Sequence, residues 1–127
     1  MRVFLVRHAE AKPGEPDELR SLTDAGRAVA RALGERLAQH QPDAVVTSPH
    51  LRARETGEAI ARAAGLDAEP HDGLGFDATP ETLKEAVAGR GETVVAVSHQ
   101  PNCSEIVLAL TGREVRFAPG DVQELEL

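Results

Sequence analysis

Aromatic side chains are nearly missing from this chain of 127 residues: it has no Trp, no Tyr and three Phe. Leu, Val, Ile and Ala must therefore fill the core, and base stacking on nucleic acid, which leans on aromatic rings, has little to work with. A single cysteine, Cys103, excludes an internal disulfide and any cysteine-based metal site, and it fits a reducing compartment. No apolar run is long enough to span a bilayer. The segment Met1 to Val6 carries one positive charge and too short an apolar stretch for a signal peptide, so the expected location is the cytoplasm. Positive charge is also in deficit, with 14 Lys and Arg against 21 Asp and Glu, a net −7. That balance repels nucleic acid and anionic membranes, and neither is an expected partner. An anion site in such a chain needs its positive charge concentrated in one place.

What is present is an alternation of short apolar runs with amphipathic segments, over a length that suits one domain, residues 1–127. Val3-Phe4-Leu5-Val6, Ala44-Val45-Val46 and Thr93 to Val97 read as buried strands, and Leu66 to Glu69 as a weaker one. Helices are predicted from about Ala25 to His40, capped by Thr23 or Asp24, with Val29, Leu33 and Leu37 as an apolar stripe. Others are predicted from His50 to Ala64, stopped by Gly65, from Pro80 to Gly89, capped by Thr79, and from Pro101 to Leu110. Glu10 to Arg20 and His71 to Thr79 read as loops, and Arg113 to Leu127 as edge strands. The expected fold class is α/β, a three-layer α/β/α arrangement around a mainly parallel sheet.

Ligands of such sheets bind beyond the carboxyl ends of the strands. Three strands here end in polar residues at that edge, namely Arg7-His8, Ser48 and Ser98-His99, and the following helix adds Arg52. Two arginines and two histidines at one rim point to phosphoryl chemistry. Guanidinium forks match phosphate oxygens, and a neutral imidazole nitrogen can attack phosphorus when its other nitrogen is held. No ligand pattern for a metal accompanies the histidines, and no cofactor is expected. Ser48 and Ser98 read as backbone-bonding strand ends, His40 and His71 as surface residues, and His50 as a rim residue tending to solvent. Arg54 reads as solvated or paired with Glu58, and Cys103 as a buried, inert thiol.

The ordered motifs resemble the histidine phosphatase superfamily, whose fold is phosphoglycerate mutase-like. Arg7-His8-Ala9-Glu10 is similar to its Arg-His-Gly signature, Ser48-Pro49 with Arg52-Ala53-Arg54-Glu55-Thr56 to its second signature, and Ser98-His99-Gln100-Pro101 to its third. Leu22-Thr23-Asp24-Ala25-Gly26 resembles the start of its first helix. The short length resembles the SixA-type phosphohistidine phosphatases. The resemblance implies His8 as a transiently phosphorylated nucleophile, with Arg7, Arg52 and His99 binding the phosphoryl oxygens, and His99 a donor that can be protonated beside the phosphate. It implies a phosphatase acting on a phosphorylated protein or a small phosphorylated substrate, and nothing demands more than a monomer.

Three departures shape the expectation. Ala9 replaces the usual glycine, and Gly14 stands where many members carry a phosphate-side asparagine. Larger members place a glutamate acid in the loop after the third strand, whereas here the position falls at Gly73, in His71-Asp72-Gly73-Leu74-Gly75-Phe76-Asp77. Asp77 or Asp72 is then the possible substitute acid. An alkoxide leaving group needs a positioned acid, worth roughly 10²–10⁴-fold, whereas imidazole (about 6.5 for histidine) can carry its own proton. The expected substrate is therefore protein phosphohistidine. The alternatives are a small-molecule phosphomonoesterase or a non-catalytic phosphate-binding module.

Overall fold

A computed structural model describes residues 1–127. Five strands form one sheet in the order β3-β2-β4-β1-β5: β1 (Arg2–Arg7), β2 (Ala44–Thr47), β3 (Ala68–Pro70), β4 (Thr93–Ser98) and β5 (Val122–Glu126). The first four are mutually parallel, and β5 runs antiparallel along β1. Four helices connect them: α1 (Asp24–Ala38), α2 (Leu51–Ala64), α3 (Pro80–Val87) and α4 (Asn102–Thr111). The structure is the three-layer α/β/α fold expected from the alternation. None of the helices is long and apolar enough to cross a membrane.

The pleat sorts the apolar strands into two faces. Val3, Leu5, Val46, Val94 and Ala96 meet Leu83, Val87, Ile106 and Val107 of α3 and α4. Phe4, Val6, Val45, Val95 and Val97 meet Leu33, Leu37, Ala53 and Ile60 of α1 and α2. Each large aliphatic side chain buried this way contributes about 1.5–3 kcal/mol, which is how a core with few aromatics holds.

Local sequence sets the helix ends. The Thr23 side chain accepts from Gly26 N, Thr79 and Thr82 form a reciprocal capping box ahead of Pro80, and Gly65 closes α2 in the left-handed conformation. Two expectations change. The buried stripe of α1 runs through Gly26, Ala30, Leu33, Gly34 and Leu37, while Val29 lies off it and is 45% exposed. A helix has 3.6 residues per turn, so spacing of four drifts off the buried face. The tail carries one strand, not several: residues 113–121 have no strand, and only β5 pairs, adding an antiparallel edge to β1.

α2 crosses β2 closely at Gly57, where a Cβ would overlap the methyl carbon of Thr47. Gly57→Ala therefore lowers the urea unfolding midpoint by the equivalent of about 1–3 kcal/mol of overpacking. Helix propensity alone predicts the opposite sign, a gain of about 1 kcal/mol, so a raised midpoint would refute this close contact.

Candidate active site

Parallel pairing brings the chain's polar motifs side by side. Arg7 lies opposite Ser98 in the register of β1 and β4, His8 N donates to Ser98 O at 3.1 Å, and Ser48 N donates to Val97 O at 2.9 Å. Both histidines thus emerge on adjacent strands, and their ring centroids are 5.3 Å apart. α2 and α4 begin at this same edge; no side chain caps the start of α2, while Gln100 Oε1 accepts from Ser104 N in the first turn of α4 at 2.9 Å.

His8 is held by its own neighbour. Its Nδ1–H donates to Ala9 O at 2.7 Å, and because a carbonyl oxygen only accepts, the proton is on Nδ1 and Nε2 keeps its lone pair. Burial pushes the His8 pKa down to about 4, assisted by the charges of Arg52, Arg7 and Arg20, so the ring is neutral near pH 7. Ala9 N donates to Thr56 Oγ1 at 3.0 Å, and Thr56 Oγ1 donates to Arg52 O at 2.8 Å. The threonine of the second motif therefore ties the loop after His8 to α2. Ala9 has no left-handed backbone, and its methyl is buried with Leu22 and Ala30, so the alanine fits without strain.

Arg7 Nη1 donates to Phe117 O at 2.9 Å, and its buried Nε has no protein partner. Arg52 is almost fully buried, at 4% exposed. Its Nη1 and Nη2 donate to Asp17 O and Asp17 Oδ2 at 2.9 and 3.1 Å. Asp17 also accepts from Arg20 Nη1 at 3.1 Å, and Arg20 first, then Arg52, hold its carboxyl below the usual carboxylate range. Asp17 and Arg20 belong to the segment that reads as an exposed loop in sequence. A short 3-10 turn over Asp17–Leu19 brings them to the rim, and nothing in the apolar pattern signals it.

His99 is 1% exposed. Its Nε2 is 2.7 Å from Ser48 Oγ, which lies 3.1 Å from His50 Nδ1, and its buried Nδ1 has no partner. Ser48 therefore links two imidazoles, unlike Ser98, whose Oγ donates to the Leu74 carbonyl as a strand-end serine should. Burial, with the nearby charges of His8 and Arg52, pushes the His99 pKa down to about 3, so without an anion His99 is neutral, not protonated. His50 is half-buried and tilts against Phe76 at 4.4 Å between ring centroids, so it lines the site more than it faces solvent.

Asp72 and Asp77 are both exposed, and neither side chain bonds to the cluster. A Cβ at Gly73 would meet His71 Nδ1 and the Thr82 carbonyl at 2.9 Å, so this loop does not accept any side chain there, glutamate included, as it stands. Gly14 lies in an exposed part of the loop, Arg54 is exposed, and Arg27 takes the ion pair with Glu55. Burial pushes the Cys103 thiol up to about 12, an inert group. No group of three His, Cys, Asp or Glu side chains is arranged to hold a metal ion.

Comparison with known proteins agrees with this architecture. A sequence profile of the histidine phosphatase superfamily (branch 1) matches residues 3–75. A phosphohistidine phosphatase SixA homolog of Haemophilus influenzae is 30% identical, over 98% of this chain and 87% of that protein. The structure of the protein histidine phosphatase SixA complexed with tungstate superposes with a TM-score of 0.87 at 25% identity, over 100% of this chain and 88% of that one. A structure from Agrobacterium tumefaciens assigned as a SixA phosphohistidine phosphatase superposes with a TM-score of 0.80 at 30% identity, over 98% and 90%. With the motifs in order and their side chains gathered at one sheet edge, the chain belongs to the histidine phosphatase superfamily (branch 1).

Proposed function

We propose that this phosphatase works through a covalent phosphohistidine intermediate on His8 and that its substrate is protein phosphohistidine. The observation that carries the proposal is the state of His8: neutral, proton on Nδ1 and lone pair on Nε2, close to the charges of buried Arg52 and half-buried Arg7. In the first step the Nε2 lone pair forms a bond to phosphorus while the bond from phosphorus to the substrate's imidazole nitrogen breaks. The imidazole leaves with that electron pair and a proton it already carries. In the second step water attacks phosphorus, the bond to Nε2 breaks with its electron pair returning to that nitrogen, and inorganic phosphate departs with both of the water's protons.

The three equatorial oxygens carry the charge in such a transfer, so fixed donors do most of the work. Arg7, Arg52 and His99 are the proposed donors. Buried Arg7 Nε and His99 Nδ1 lack protein partners, as donors reserved for a ligand oxygen would. If His50 Nδ1–H donates to Ser48 Oγ and Ser48 Oγ–H donates to His99 Nε2, the His99 proton sits on Nδ1. His99 then donates to phosphate while neutral, in keeping with its depressed pKa.

The leaving-group side supports a phosphoramidate. Asp17, the carboxylate bonded to this cluster, is held ionised by Arg20 and Arg52 and has no proton to give. Asp72 and Asp77 stand in solvent, and they remain the candidates for an acid only if their loop moves. The relatives named as phosphohistidine phosphatases point the same way.

Three outcomes are expected. Brief incubation with a labelled phosphohistidine peptide and a rapid quench traps an acid-labile, base-stable label that His8→Ala abolishes; no label with any substrate favours a binding module instead. Steady-state turnover on that peptide exceeds turnover on an alkyl phosphate by at least the roughly 10²-fold that a missing acid withholds, and faster alkyl phosphate hydrolysis refutes the substrate assignment. In the anion-free enzyme, His8 titrates with an NMR midpoint near pH 4, since burial and the arginines disfavour the charged ring. The nucleophile therefore stays unprotonated down through pH 5, and a midpoint near 6.5 contradicts the burial argument.

A further inference from the structure

We propose that Phe76 determines leaving-group specificity: its ring is a platform on which a planar aromatic leaving group, such as the imidazole of phosphohistidine, lies as the bond to phosphorus breaks. The proposal deepens the substrate reading above and rests on it. Of the three Phe, Phe4 and Phe117 are buried, whereas Phe76 is 51% exposed. An exposed ring in so aromatic-poor a chain stands at one place only, the rim of the phosphoryl site.

The ring is not there by default of a loose loop. Asn102, at the start of α4, donates from Nδ2 to the carbonyls of Phe76 at 2.8 Å and Ala78 at 3.1 Å. Leu74 is fully buried, and Ser98 Oγ donates to its carbonyl at 2.6 Å. The turn is thus pinned to the ends of β4 and α4, the elements that carry His99. A rigid aromatic surface costs little entropy when a second ring settles on it.

Position gives the role. Phe76 packs on His99 at 4.5 Å and His50 at 4.4 Å between centroids, with Arg52 Cζ 5.5 Å from its ring centre. These neighbours come from the β2 and β4 side of the edge, while His8 comes from β1, on the other side of His99. An in-line transfer sends the leaving group away from the attacking nitrogen, so a nucleophile on β1 directs it toward the side that Phe76 occupies. The half of the ring left in solvent is then the surface a leaving imidazole meets, and offset or edge-on ring pairs favour an aromatic over an alkyl group there.

The test compares phosphoimidazole with phosphoramidate, two phosphorus–nitrogen substrates that differ in the ring. Phe76→Ala is expected to lower kcat/KM on phosphoimidazole roughly tenfold, with less than about a twofold change on phosphoramidate. Phe76→Leu, which still shields His99 and Arg52, is expected to fall between wild type and Phe76→Ala on phosphoimidazole. Equal losses on both substrates mean that Phe76 only props its neighbours, and that result, or no loss on either, overturns the proposal while leaving the phosphohistidine reading intact. Wild-type enzyme that turns over phosphoramidate or an alkyl phosphate but not phosphoimidazole overturns both together, as does a wild type inactive on both phosphorus–nitrogen substrates.

Discussion

Parallel strands deliver their carboxyl ends to the same edge, and the pairing of β1 with β4 is the constraint on which the rest depends. Arg7 stands opposite Ser98, so the residues that follow, His8 and His99, leave the sheet as neighbours even though 90 positions separate them in the chain. β2 joins on the other side of β4 and turns into α2, which returns Arg52 and Thr56 to that edge. Thr56 then closes the arrangement by accepting from Ala9 N while donating to the α2 backbone. A shift of one residue in the β1–β4 register would turn His8 to the opposite face of the sheet.

The electrostatics follow from the same burial. A chain with a net −7 gathers Arg7, Arg52 and Arg20 around one rim and places two histidines among them. Burial and neighbouring positive charge both disfavour imidazolium, so His8 and His99 stay neutral. Only the neutral form of an imidazole has a lone pair free to attack. Asp17 balances the buried guanidinium of Arg52 in the free enzyme, since an unpaired charge at 4% exposure would be costly. Asp72 and Asp77 stay exposed outside this set, and the half-exposed ring of Phe76 stands at its rim.

Much of the fold was legible in the sequence. The β-branched runs of β1, β2 and β4, the Thr79-Pro80 start of α3 and the Gly65 stop of α2 all rest on local chemistry, and they appear where the pattern puts them. Val29 misled because spacing of four only approximates a helical face. The tail, read as edge strands over Arg113 to Leu127, misled because sequence does not say how many strands form there, which depends on the pairing edge that β1 leaves free.

The candidate site divides along the same line. The sequence by itself determined the residues with chemistry at strand ends, namely Arg7, His8, Arg52 and His99, because a strand's carboxyl end and a helix start are local features and parallel topology then forces them together. Only the tertiary structure decided which atoms are engaged. It assigned the His8 proton through Ala9 O, set Ser48 between His99 and His50, folded Asp17 and Arg20 onto Arg52, closed the Gly73 position to a side chain and fixed Phe76 at the rim. These contacts join segments distant in sequence through hydrogen bonds and ring packing, which leave no periodic trace along the chain.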